Sequence, residues 1–190
     1  MTGTRTIRNA ATARELEESL RLVQDVFTES ENAHNALEVR RLVEETRAAN
    51  LYVPELDLIM LEDDAVIGSA VFSRLQLTGD THTILLLAPV AVRTDRQRRH
   101  VSKELIEYGF GKARAMGYPA VLVEGNPDNY RSRGFVTAAD FGILSGEGVQ
   151  LPAPECLMVR ELVDGALGGI RGQADYLHDA AIRDSVRCRC

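Results

Sequence analysis

Apolar and polar positions along the chain fall into blocks that predict strands and helices in turn. Thr6 to Arg8 opens as a short strand, and Thr12-Ala13-Arg14-Glu15 follows with the spacing of a capping box. In such a box a hydroxyl and a carboxylate satisfy the first free helix amides reciprocally. The spacing of Leu16, Leu20, Val23 and Phe27 predicts a helix, and Glu38 to Ala48 predicts a second, with Val39, Leu42 and Val43 on one side. Glu29 to Asn35 between them reads as a loop. Leu58 to Glu62 and Ala65 to Arg74 flank the acidic pair Asp63-Asp64, the pattern of an antiparallel hairpin.

Gly79-Asp80 marks the next turn. Thr83 to Val92 is then an almost uninterrupted apolar run, suited to a strand buried on both faces. Pro89 interrupts it. Proline cannot donate a ladder hydrogen bond, so the sheet is expected to open there. After the polar segment Arg93 to Arg99, the residues Leu105, Gly109, Ala113 and Met116 line one stripe of a helix that Gly117 should stop. Ala120 to Val123 is the next buried strand, so Thr83 to Glu124 reads as a strand–helix–strand unit with parallel strands. Asn126 to Arg133 reads as a short helix or turn, Pro152 and Pro154 as a loop, and Leu157 to Glu161 as a further strand.

The length of 190 residues and a hydrophobic content of 45% suit one domain with a full core. We expect that domain over residues 1–176, with 177–190 as a tail. No apolar run approaches the roughly 18 to 20 residues of a membrane span, and Met1-Thr2-Gly3-Thr4-Arg5 lacks the pattern of a secretion signal. A cytoplasmic location is the expectation. The net charge of −6 argues against a general nucleic-acid binder, which needs a concentrated positive surface. Cys156, Cys188 and Cys190 have no metal-ligand spacing. Cys156 reads as a small, partly buried residue and the tail thiols as incidental. His34, His82 and His178 have no partner pattern and read as ordinary surface or loop residues.

Three passages resemble a bacterial branch of small predicted acetyltransferases in the GNAT superfamily. They are Leu87-Ala88-Pro89-Val90-Ala91-Val92-Arg93, the helical segment Glu104 to Tyr118 with its Ala-Arg-x-x-Gly-Tyr ending, and Gly125-Asn126-Pro127-Asp128-Asn129-Tyr130 running on to Gly134-Phe135. The likeness spans about Thr6 to about Gly172. Gly165 to Tyr176 resembles the branch's C-terminal extension, Gly-Ala-Leu-x-Gly followed by a tyrosine-containing strand, which is expected to close over the substrate side. The resemblance implies an α/β (α+β) fold of the GNAT acyl-CoA N-acyltransferase type, a mixed central sheet with splayed parallel strands flanked by helices. It further implies that the pantetheine arm of acetyl-CoA, or of another acyl-CoA, lies along Val90, Ala91 and Val92. The pyrophosphate would then meet Gln97, Arg98, Arg99, His100, Val101 and Ser102, with Asn126 also on the cofactor side. Tyr130 has the family's spacing for the acid that protonates the departing thiolate. The acceptor implied is an amine of a small molecule, and no metal is implied.

Two departures stand out. The family loop reads Gln/Arg-x-x-Gly-x-Gly/Ala, whereas this chain has His100 and Ser102 at the small positions. Glycine there lets consecutive amides approach a phosphate closely. Two readings stay open: Arg96, Arg98, Arg99 and His100 supply charge to a phosphate and a pantetheine thioester still binds, or the loop is blocked and the fold has turned to ligand binding or other chemistry. Asn126 stands where the branch has aspartate, leaving Glu124 as the nearest acid and the candidate general base through a water. A tyrosine beside Phe135 could also simply pack, and a carboxylate at a strand end could be ion-paired. The hairpin strands and the C-terminal strand could pair between subunits, so monomer and homodimer are both open.

Overall fold

The computed structural model describes residues 4–176, which form two compact units. The first runs to Ser73 and takes in Ala88–Lys112; the second takes in Arg74–Leu87 and the chain from Ala113 onward. Residues 177–190, with Cys188, Cys190 and His178, lie outside the described residues.

In the first unit β1 (Arg5–Asn9) pairs antiparallel with β2 (Tyr52–Glu62), and β2 with β3 (Ala65–Gln76). The turn between β2 and β3 is the expected one. Asp63 and Asp64 have φ of 50° and 64°, so both central residues are left-handed, the geometry that matches the twist of a two-residue hairpin. β2 begins earlier than its apolar run suggests. It reaches back to Tyr52 across a register shift between Tyr52 and Asp57, which accommodates Pro54 as a residue that cannot join a ladder.

Helix α1 (Ala13–Ser30) starts at the expected capping box, with Thr12 Oγ1 accepting from the Glu15 amide. Arg8 lies 2.7 Å from Glu15 and holds that carboxyl down at about 2, against an ordinary 4.5. The loop expected over Glu29 to Asn35 contracts to two residues. The cause is Asn32, whose side chain accepts from the Asn35 amide at 2.9 Å and caps α2 (Ala33–Ala48). Leu22, Val23 and Val39 of the two helices pack with Ala91, near the end of β4 (Thr83–Val92).

A charged network ties these helices to β2. Asp57 is 0% exposed, accepts from Arg47 Nε and Nη2 at 2.8 and 3.2 Å, and accepts from the Tyr52 hydroxyl at 2.8 Å. Arg47 also donates to the Leu16 carbonyl and to Ser19 Oγ at 3.0 and 2.7 Å. Burial, then the nearby Asp57 charge, pushes the Tyr52 phenol up. Helix α3 (Val101–Ala115) approaches β3 closely. A Cβ on Gly109 would sit 2.5 Å from the Phe72 ring, so only glycine fits there. Leu105 and Ala113 are buried as the stripe predicts, but Met116 is 42% exposed, because the helix ends just before it.

In the second unit β4 pairs in parallel with β5 (Ala120–Glu124) at Leu85↔Val121 and Leu86↔Leu122. The pairing stops short of Pro89, as expected for a strand that cannot donate there. The Ala88-Pro89 peptide is cis. Antiparallel β8 (Leu157–Glu161) lies beside β5 and also pairs with the short β6 (Val136–Thr137). The hydrogen-bonded strand order is β1-β2-β3-β4-β5-β8-β6, a mixed sheet. Two elements were not visible in the hydrophobic pattern, the parallel pair β7 (Ile143–Ser145) and β9 (Gly172–Ala174). Each is three residues long, too short to show a period. Cys156 is fully buried. Among the described residues no helix is long and apolar enough to cross a membrane, and no cluster of His, Cys, Asp and Glu is placed to hold a metal ion.

Candidate functional site

In the first unit β4 ends with Ala91 buried and with Val90 and Val92 half-buried. A single 3-10 turn, Thr94–Arg96, leads on toward α3. Arg96 is held by Glu62 and by Asp95, the latter at 2.7 Å, and Arg93 lies 2.6 Å from Asp95. Arg5 bridges Glu62 and Glu104 at 3.1 and 3.4 Å and donates to the Arg99 carbonyl at 3.1 Å. Arg96 and Arg5 together hold the Glu62 carboxyl below the usual carboxylate range. These contacts fix both flanks of the loop while Gln97, Arg98, Arg99 and His100 stay exposed. Gln97 donates to the Val92 carbonyl at 3.3 Å.

The backbone of the loop is unusual. Arg98 has φ of 59° and His100 has φ of 63°, with Arg99 between them outside the left-handed region. Backbone that alternates in hand turns successive amides toward one point and makes a concavity for an anion. Glu104 donates its amide to the His100 carbonyl at 2.9 Å, which ties the start of α3 to the loop. Val101 is buried, and a Cβ on Gly68 would sit 2.7 Å from its Cγ1. Val101 therefore anchors the start of α3 and has only its backbone to offer a ligand. Among the described residues no ion pair engages the side chains of Arg98 or Arg99, which leaves their charges exposed on the loop.

In the second unit Glu124 closes β5, in register with Leu157 of β8. Its Oε2 accepts from the Tyr176 hydroxyl, and its Oε1 is buried with no hydrogen-bond partner. Burial pushes this carboxyl up, and the Tyr176 hydroxyl partly opposes that. Asn126 caps the one-turn helix α4 (Pro127–Tyr130) by accepting from the Asp128 amide at 2.9 Å. Asparagine and aspartate cap about equally well, so the loss of a carboxylate here leaves the local fold intact.

Tyr130 ends α4, and its ring meets Phe135 edge-on with centroids 5.5 Å apart. The Arg133 guanidinium lies 5.7 Å from the Tyr130 centroid. Gly134, at φ 77°, makes the left-handed turn that brings Phe135 back to the tyrosine. A Cβ on Gly125 would sit 2.7 Å from Tyr130 Cε2, so the ring lies against bare backbone.

A family model described as an acetyltransferase (GNAT) domain matches residues 6–138. The chain belongs to the GNAT acetyltransferase family. The uncharacterized N-acetyltransferase YhbS of Escherichia coli K12 is 29% identical over 123 residues, which is 64% of this chain and 71% of that protein. Two crystal structures share the fold. The GNAT family N-acetyltransferase YhbS from Escherichia coli, in complex with CoA, superposes with a TM-score of 0.76 at 24% identity, covering 93% of this chain and 91% of that one. A GNAT family acetyltransferase from Brucella melitensis, in complex with acetyl-CoA, gives 0.71 at 22% identity, covering 94% and 98%.

Within the GNAT frame the structure brings the loop residues Gln97 to Ser102 together in the first unit, and Glu124, Asn126 and Tyr130 in the second. Sequence reasoning misplaced Arg96 and missed the parts played by Tyr176 and Gly125. Arg96 resembles a phosphate ligand in sequence, yet its charge is taken up by Glu62 and Asp95. Tyr176 is 52 residues from its partner Glu124, and no spacing signals that pair. Gly125 stands in an ordinary strand-end pattern, and only the Tyr130 ring against it shows why it has no side chain.

Proposed function

We propose that this chain transfers an acetyl or other acyl group from a CoA thioester to an amine of a small molecule. The observation that carries the reading is the left-handed backbone at Arg98 and His100 ahead of α3. A non-glycine residue held left-handed costs about 1–2 kcal/mol, and such outliers cluster where a ligand is held. Convergent amides, the positive end of α3 and the side chains of Arg98 and Arg99 would together hold a pyrophosphate. The loop thus keeps glycine-like geometry without glycine.

In the reaction the amine nitrogen attacks the thioester carbonyl carbon and the carbon–sulfur bond breaks. Tyr130 gives its phenolic proton to the departing thiolate. Glu124, through a water, takes the proton that the amine nitrogen loses, and exchange with solvent resets both groups. Burial that raises the Glu124 carboxyl brings its affinity for a proton closer to that needed near neutrality. Its charged form is the active one, so the rate falls as pH drops through the raised value.

A second reading is a GNAT fold that no longer uses acetyl-CoA, and the side chains of His100 and Ser102 at the loop's small positions favour it. Thiol release from acetyl-CoA, measured with and without a polyamine, an amino sugar and an amino acid, separates the two. We expect at least one amine to raise the rate tenfold or more above water. Equal rates with every amine would overturn the acyltransferase reading.

A further inference from the structure

The buried end of β5 carries a contact whose consequence reaches beyond Glu124 itself. Tyr176 lies two residues beyond β9, and the backbone leading to it is tied down. The Thr78 and Gln173 amides exchange hydrogen bonds at 2.8 and 3.0 Å, and the Gly146 amide donates to the Ala174 carbonyl at 2.8 Å. A Cβ on Gly172 would meet the Thr78 carbonyl oxygen at 2.5 Å, so β9 and the segment at Thr78 run backbone against backbone. The Tyr176 hydroxyl is thus delivered to Glu124 Oε2 by a segment with little freedom.

A carboxylate with both oxygens bonded to protein has less acceptor capacity left for an incoming N–H or water. One with neither oxygen bonded rotates freely about its last torsion. Glu124 is between these cases, since Oε2 is engaged and Oε1 is buried without a partner. A buried acceptor left unsatisfied costs about 1–3 kcal/mol, a cost that a bound donor would relieve. We infer that Tyr176 is a positioning residue, which holds Glu124 by one oxygen so that the other is kept for the proton leaving the acceptor amine.

The inference rests on Glu124 as the general base. It adds that the C-terminal segment takes part in proton transfer. Tyr176 donates to the charged carboxylate, so it favours ionisation against the burial that disfavours it. From β8 the residue in register is the apolar Leu157, and the shift of Glu124 comes from burial and the neutral Tyr176 hydroxyl.

The test uses the full chain labelled with [5-13C]glutamate, and the Glu124 signal is assigned by its loss in Glu124→Gln. In Tyr176→Phe we expect the Glu124 titration midpoint to move up by about one pH unit, the loss of one hydrogen bond to a charged group. With water as acceptor, the acidic limb of kcat/KM for acetyl-CoA should move by the same amount while KM stays within about twofold. A Tyr176→Phe midpoint that coincides with that of the unmodified protein overturns the positioning role. If the midpoint moves but Glu124→Gln keeps full kcat and its acidic limb, the base reading fails and the Tyr176 contact stands. Thermal melts of both variants within a few degrees of the parent confirm that the fold is kept.

Discussion

Replacing Tyr130 by phenylalanine is expected to lower kcat for amine acetylation roughly a hundredfold to ten-thousandfold, the range for loss of a positioned general acid. Phenylalanine keeps the ring and therefore the edge-on contact with Phe135 and the close seat against Gly125. The substitution removes the phenolic hydroxyl and with it the proton to be donated. Affinity for acetyl-CoA, read by calorimetry, should change less than about threefold, because the loop around Arg98 and His100 lies in the other unit and is untouched. A Tyr130→Phe variant that keeps kcat within a factor of two would show that the tyrosine packs and does not donate.

The largest effect on stability is expected from Asp57→Ala. Asp57 is fully buried and receives three hydrogen bonds, two from Arg47 and one from Tyr52. Removing it leaves the Arg47 guanidinium, which also reaches Leu16 and Ser19, without a counter-charge in a desolvated place. Breaking a buried pair from one side costs about 3–5 kcal/mol, a fall in melting temperature of roughly 10 °C for a chain of this size. The paired change Arg47→Met with Asp57→Leu should cost less than Asp57→Ala alone, because no charge is then stranded. If Asp57→Ala melts within 2 °C of the parent, given roughly 2–4 °C per kcal/mol, the network contributes little.

Elements with a long, consistent pattern were legible in the sequence, and those fixed by contacts remote in the chain were not. The apolar run from Ile84 to Val92, the stripe through Leu105, Gly109 and Ala113, and the run Ala120 to Val123 became β4, α3 and β5 because each buries a whole face. The polar stretch from Glu29 to Asn35 misled because a capping asparagine looks like a loop residue until its amide partner is seen. Asp57 sits in the run Leu56-Asp57-Leu58-Ile59-Met60, where a lone acid signals burial without saying which cation answers it. That answer came from Arg47 on helix α2.

The site divides the same way. His100 and Ser102 were legible as departures, since the loop is short and each position has a stated need for a small residue. What the departure does to the backbone was not legible, because a left-handed φ at a histidine is imposed by the flanks of the loop. Arg5, Arg96 and Val101 hold those flanks, and their partners Glu62 and Gly68 belong to β2 and β3. The resemblance pointed to a tyrosine-containing strand before Tyr176, but the tyrosine's partner Glu124 lies 52 residues away and was not legible.

The central claim is that the loop from Gln97 to Ser102 holds the phosphates of CoA through left-handed backbone in place of glycine. Calorimetric titration of the unmodified protein with acetyl-CoA, beside the His100→Gly variant, tests it most directly. The account predicts micromolar binding by the unmodified protein, changed at most about tenfold by glycine, because the left-handed backbone that glycine favours is already present at His100. No heat from the unmodified protein, with binding appearing only in the glycine variant, would contradict it and mean that His100 closes the loop to CoA.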